Sequence, residues 1–155
     1  MLRTARVVRN TKETQICLEL NLDGKGTFEG TTGIGFFDHM LDGFARHGFF
    51  DLRLEMQGDL QVDGHHTIED FGIVLGTALK EALGDKAGIR RYGSRILPMD
   101  ETLVLAAVDL CGRPTCRSRR SFPEVGDMET EMVREFFYAL SYSCGMNLHI
   151  KVLDG

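Results

Sequence analysis

Sliding the chain by 96 residues lays its apolar pattern on itself, and this constrains the fold more than any single motif. Leu52 falls on Leu148, Leu54 on Ile150, Met56 on Val152, Leu41 on Phe137 and Phe44 on Leu140. A helix face and a strand face both coincide, as an internal repeat requires. Identities are few, so two unrelated amphipathic patterns would give the same coincidence. If the repeat holds, the chain is built from two similar halves, and the same register sets His39 on Glu135.

Local patterning fills in each half. Residues 4–10 and 14–22 read as strands, the second alternating Ile16, Leu18, Leu20 and Leu22 against Cys17, Glu19 and Asn21. Asp23-Gly24 and Lys25-Gly26 supply turn chemistry. Residues 36–46 place Phe37, Met40, Leu41 and Phe44 at helical spacing and stop near Gly48. Residues 50–56 return to alternation, and from Thr67 a longer helix carries Ile68, Phe71, Leu75, Leu79 and Ala82 to a stop at Gly84-Asp85. The series then restarts. Residues 94–97 with 102–110, then 115–121, read as two strands interrupted by Pro98 and Pro114, 129–141 as an amphipathic helix, and 148–152 as a strand. The first half is therefore β-β-α-β-α over residues 1–90, and the second, 91–155, is β-β-α-β without a last helix. The expected class is α+β, one compact domain of two pseudo-repeated halves with helices packed on mixed or antiparallel sheets.

The chemistry concentrates in two short segments. In Asp63-Gly64-His65-His66-Thr67-Ile68-Glu69-Asp70, His66 and Glu69 stand three apart at the mouth of the long helix, so both project from one face. A histidine and a carboxylate at that spacing present two ligands to one metal. His65 precedes the first full turn and points elsewhere, which suits a second ion or a second subunit. The plainer alternative is a solvated helix start with Glu69 completing a cap. The second segment, Phe37-Asp38-His39-Met40-Leu41-Asp42, puts His39 off the apolar stripe, with His47 two turns on. Four of the five histidines fall within residues 39–66, and imidazole with carboxylate suits Mn, Fe, Zn or Ni better than Ca or Mg. His149 alternates with Leu148 and Ile150 and belongs to the polar face of a strand.

Arg91 and Arg113 sit beside Gly and Pro punctuation, where a guanidinium held on a rigid turn suits bidentate phosphate contact. Arg117, Arg119 and Arg120 read as an exposed basic strand, and Glu13 as a turn carboxylate. The net charge of −5 gives no electrostatic reason to expect nucleic acid or an anionic membrane as partner. No apolar run approaches the ~20 residues of a membrane span, and the N-terminal residues lack an apolar signal region. The expected location is the cytoplasm, or a plastid for a plant precursor. Cys17, Cys111, Cys116 and Cys144 lack metal-finger spacing and read as reduced and structural. No P-loop, GxGxxG or GxSxG context is present.

With Phe-Phe-Asp-His-Met-Leu-Asp at 36–42, Asp-Gly-His-His-Thr-Ile-Glu-Asp at 63–70, Pro-Met-Asp-Glu at 98–101 and Asp-Leu-Cys-Gly-Arg-Pro at 109–114, the chain resembles the imidazoleglycerol-phosphate dehydratases along essentially its whole length. The resemblance implies a lyase of histidine biosynthesis that dehydrates imidazole glycerol phosphate to imidazole acetol phosphate through a metal-bound imidazolate and a diazafulvene. It implies two Mn²⁺ ions per complete site, shared between subunits of a homo-oligomer, a trimer that assembles to a 24-mer. His39, His65, His66 and Glu69 match the family's metal ligands, and Glu135 stands where some members have a metal-binding histidine. Catalytic roles fall to Glu13, His39, His66 and Glu69. Substrate contacts fall to those four together with His47, His65, Arg91 and Arg113.

The family pattern continues with a second His-His-x-x-Glu helix, whereas the chain ends at Leu153-Asp154-Gly155. Two expectations follow: an enzyme completed by further residues, or a metal-stabilised trimeric assembly form without catalysis. A metal-dependent hydrolase is the remaining rival, and it would keep an open metal position for water.

Overall fold

The computed structural model describes residues 2–118 and 128–155. Two four-stranded sheets share three helices. The first half comprises β1 (Thr4–Asn10), β2 (Thr14–Asn21), β3 (Thr27–Glu29), α1 (Gly35–Gly48), β4 (Asp51–Gly58) and α2 (His65–Leu83). The second comprises β5 (Tyr92–Met99), β6 (Thr102–Asp109), β7 (Thr115–Ser118), α3 (Glu131–Cys144) and β8 (Asn147–Asp154). The sheets run β1-β2-β4-β3 and β5-β6-β8-β7. Each is antiparallel except at its last pair, where β3 lies parallel to β4 and β7 parallel to β8.

The repeat is real, but its register changes along the chain. α1 and β4 recur 96 residues later as α3 and β8, Gly35 matching Glu131 and Asp51 matching Asn147. The strands before them recur after only 88, Thr4 matching Tyr92 and Thr14 matching Thr102. The extra residues fall between β7 and α3, the stretch that contains Arg119, Arg120 and Ser121. The expected continuation of the basic strand through those three lies outside the described residues; Arg117 is exposed on β7. Turn contacts repeat as well: the Leu22 N–H donates to the Arg3 carbonyl at 2.9 Å, and that of Leu110 to the Arg91 carbonyl at 3.1 Å.

Two expectations need correction. The β-β-α-β order omits the three-residue β3, too short to show alternation, which pairs with β4 by crossing over through α1. The stripe Phe37, Met40, Leu41, Phe44 is also not the buried face of α1. Phe37, Leu41 and Ala45 are buried at a spacing of four, whereas Met40 and Phe44 are 45% and 36% exposed. Pro98 lies inside β5, where the missing N–H is tolerated because β5 is an edge strand.

The core forms around α2. Ile16, Leu18 and Leu20 of β2 and Leu52 and Leu54 of β4 turn inward as strand alternation dictates. α2 packs on β1 and β2 on one side and on α3 on the other, which is why Thr67, Ile68, Phe71, Val74, Leu75 and Ala78 are all buried. Two glycines bring the helices close: a Cβ at Gly76 would lie 2.6 Å from the Leu140 carbonyl oxygen, and one at Gly72 3.0 Å from the Ala139 Cβ. Phe37, Phe71 and Phe136 join the three helices, Phe37 meeting both partners edge-on at 5.6 and 5.2 Å. Among the described residues no helix covers the second sheet as α2 covers the first, and β5 is exposed at every position. No helix of the described residues is long and apolar enough to cross a membrane.

Candidate metal centre and arginine cluster

The N-terminal ends of the three helices meet. Gly64, just before α2, packs on Ile34 at the start of α1 and on Met132 in the first turn of α3. His65 and His66 open α2, Glu69 follows one turn in, and His39 and Glu135 each occupy the fifth position of α1 and α3. The helix starts before the expected Thr67, so His65 belongs to its first turn. No side-chain cap bond forms at Gly64, and Glu69 is not a cap. The Asp63 carboxylate instead accepts the His65 N–H at 2.8 Å.

The side-chain pairing differs from the i,i+3 expectation. Glu69 reaches His65, with Oε2 3.5 Å from Nε2, across an i,i+4 step. His66 turns to Asp59, whose Oδ2 lies 2.8 Å from Nδ1. Asp59 follows β4 directly and is only 15% exposed at its side chain, against 43% for His66. Its hydrogen bond holds the His66 imidazolium pKa above the usual histidine value, with smaller contributions from the negative charges of Glu13 and Asp63. Glu13 and Asp59 line one polar cavity of about 210 Å³, together with Gln57 and Gln61.

Glu13 is held by a chain of hydroxyls. The Glu13 N–H donates to Thr11 Oγ1 at 3.1 Å, Thr11 and Thr14 share a hydroxyl bond at 3.2 Å, and Thr14 donates to Asp70 Oδ2 at 2.5 Å. Asp70 also accepts from Arg9 Nη2 at 3.1 Å. This buried carboxylate of α2 therefore pins the β1–β2 hairpin, and with it Glu13, to the helix that carries the histidines. Sequence reasoning missed Asp59 and Asp70. The adjacency of Asp70 to the motif was a signal for one of them, whereas only the turn after β4 brings Asp59 to His66.

The arginines lie elsewhere. Arg91 clamps Asp109 with Nε–Oδ1 and Nη2–Oδ2 distances of 2.6 and 3.1 Å and stacks over Tyr92 at 4.9 Å. Arg91 and Arg113 both act on Asp109 and hold its carboxyl below the usual range, Arg91 the more strongly. Gly112, in the same turn, approaches Lys86, which follows the C-terminal end of α2. Gly112 also faces the Gly145 main chain just past α3, whose last turn packs on Gly76 of α2, so this cluster lies toward the C-terminal ends of both helices, at least about 16 Å along α2 from His65. His47 sits in the last turn of α1, exposed and about 12 Å along that helix from His39. The structure thus gathers Glu13, His65, His66 and Glu69 at one end, and Arg91 and Arg113 at the other.

Among the described residues no three His, Cys, Asp or Glu side chains form a group able to hold a metal ion. The donor chemistry nevertheless fits a transition metal. Exposed imidazoles and a carboxylate share one helix turn, and one imidazole is backed by a carboxylate, as metal-ligating histidines usually are. The set suits part of a coordination sphere rather than all of it. The four cysteines are free thiols.

A family model described as imidazoleglycerol-phosphate dehydratase matches residues 32–155. The imidazoleglycerol-phosphate dehydratase of Lachnoclostridium phytofermentans is 63% identical over 157 residues, covering 100% of this chain and 80% of its own length. That of Heliobacterium modesticaldum is 59% identical, covering 99% of this chain and 80% of its own. The crystal structure of the Staphylococcus aureus enzyme superposes with a TM-score of 0.85 at 36% identity, covering 98% of this chain and 85% of the other.

Proposed function

Because the chain belongs to the imidazoleglycerol-phosphate dehydratase family, dehydratases of histidine biosynthesis that act on a small phosphorylated imidazole, we propose that its two residue clusters serve one reaction, contributed by different copies of the chain. The observation that carries this is their separation along α2, beyond the reach of one small substrate. The histidine end of one copy meeting the arginine end of another would complete a site. A homo-oligomer, trimeric and rising to 24 subunits, is the expected arrangement.

His39, His65, His66 and Glu69 would hold Mn²⁺, with Glu135 a further donor. When bound, the metal supplies Lewis-acid polarisation that makes an azole N–H easier to lose. The chain's own residues do the rest. Dehydration takes a hydroxyl from the carbon next to the ring and a hydrogen from the adjacent carbon, which is not acidic on its own. Glu13, its main chain tied to α2 through Thr11, Thr14 and Asp70, accepts that proton on its carboxylate. Arg91, its guanidinium plane set by Asp109, meets the phosphate with its remaining edge, and Arg113 adds a second contact. His47 contributes from the end of α1.

Glu13→Gln tests the reading, because it preserves shape and removes the base. Turnover of imidazole glycerol phosphate should fall by at least about 10²-fold while Mn²⁺ binding is kept. Unchanged turnover would remove Glu13 from the chemistry. Mn²⁺-dependent assembly of the parent chain without any turnover would favour the assembly form instead.

A further inference from the structure

The two adjacent histidines are not equivalent, and the geometry points to Asp59 as the positioning residue that sets the tautomer of His66, so that Nε2 is the nitrogen offered to a divalent cation. Neutral imidazole carries one N–H and one lone pair, and an ionised carboxylate only accepts hydrogen bonds. With Asp59 Oδ2 2.8 Å from His66 Nδ1, the ring hydrogen belongs on Nδ1 and the lone pair on Nε2. His65 has a different arrangement, for its carboxylate neighbour Glu69 approaches Nε2, and only at 3.5 Å.

Asp59 is built for this role rather than placed by chance. It leaves β4 at Gly58 and is fixed by a turn in which the Val62 N–H donates to its carbonyl at 2.8 Å. Its side chain is mostly buried, and Oδ1, inaccessible to solvent, has no protein partner. A carboxylate so desolvated keeps its hydrogen bond to His66 as its main compensation. The strand-end turn thus holds the carboxylate while α2 supplies the imidazole, and the ring is oriented before any ligand arrives. A carboxylate behind a ligating histidine also raises the basicity of the free nitrogen.

This inference rests on the reading of His66 as a metal ligand, and its test separates the two. Long-range ¹H–¹⁵N correlation spectra of the metal-free protein, followed up a pH series until the ring signals stop shifting, report the tautomer of the neutral imidazole directly; a His66→Gln variant assigns the signals. Parent protein should show His66 protonated on Nδ1. Asp59→Ala should move the ring toward the Nε2–H form and weaken Mn²⁺ binding, read from the free-ion electron paramagnetic resonance signal, by roughly 10- to 100-fold. Asp59→Asn, whose amide oxygen still accepts, should retain the tautomer and lose less affinity; Asp59→Leu, which removes the acceptor while keeping the branched shape, serves if Asp59→Ala does not fold. An unchanged tautomer in Asp59→Ala overturns the role of Asp59. A changed tautomer with unchanged Mn²⁺ affinity overturns His66 Nε2 as a ligand and leaves the orienting hydrogen bond standing.

Discussion

Gly76→Ala should destabilise the protein, although helix propensity alone says the opposite. In a solvent-facing helix interior, alanine gains about 0.5–1 kcal/mol over glycine by restricting the unfolded chain. At Gly76 the added Cβ would stand 2.6 Å from the Leu140 carbonyl oxygen, 2.7 Å from the Ser143 Cβ and 3.0 Å from the Cys144 nitrogen. Two of these three are main-chain atoms of α3, so no rotamer change relieves the clash and the helices must move apart. Overpacking of this kind costs about 1–3 kcal/mol, with the upper half expected where backbone must shift. The net should be a loss of about 1–2 kcal/mol, or several degrees in Tm at roughly 2–4 °C per kcal/mol. Gly43 supplies the control: it lies mid-way along α1 with nothing within 4 Å of its Cβ position, so Gly43→Ala should stabilise by about 0.5–1 kcal/mol. Urea unfolding with unchanged m-values measures both changes. A Gly76→Ala protein as stable as the parent would refute the close crossing of α2 and α3 as the reason for glycine there.

The αL residues that end the repeated helices, Phe49 (φ 58) and Gly145 (φ 74), give a second pair of opposite effects. Phe49→Gly should stabilise by about 0.5 kcal/mol, relief of αL strain exceeding the entropy cost, whereas Gly145→Ala, strained and facing the Gly112 backbone at 3.3 Å, should cost about 1–2 kcal/mol; thermal melts showing the same sign for both would refute this. Acid should weaken the fold through three carboxylates held below the usual carboxylate range: Asp23 by Arg3, Asp51 by the Lys25 N–H and the Thr27 hydroxyl, and Asp109 by Arg91. Because these folded-state values are depressed, their contribution is present above the unfolded value and is lost as pH falls through the folded ones. His66, raised by Asp59, has the opposite sign, its contribution present below the usual histidine value and lost as pH rises through the folded-state one. Asp51→Asn should therefore lose less stability between neutral and acid pH than the parent, and an identical acid profile would contradict the assignment.

Much of the candidate site was legible because its parts are local. His66 and Glu69 stand three apart on one helix, and that spacing already states that they can share a face. The pairing itself was not legible: His65, inside the helix rather than before it, takes Glu69 at i,i+4, and His66 turns away to Asp59. Such partners arrive from other elements. Thr14 meets Asp70 across 56 positions and Arg91 meets Asp109 across 18, and nothing in the spacing of either pair marks the contact. The distance between the histidine and arginine ends is likewise a property of where α2 runs.

For the fold, the sequence by itself determined the alternation of β2, β4 and β8, the helices and their glycine stops, and the 96-residue recurrence of α1 and β4. These depend on burial periodicity and turn chemistry, which act over a few residues. Tertiary structure decided the rest. The 88-residue recurrence of the first strands was invisible beside the other register, because the additional residues between β7 and α3 break any single shift. β3 exists only because β4 offers it an edge to pair with. The buried face of α1 runs through Ala45 rather than Phe44, since what a helix buries is set by the surface it meets and not by which of its residues are most apolar.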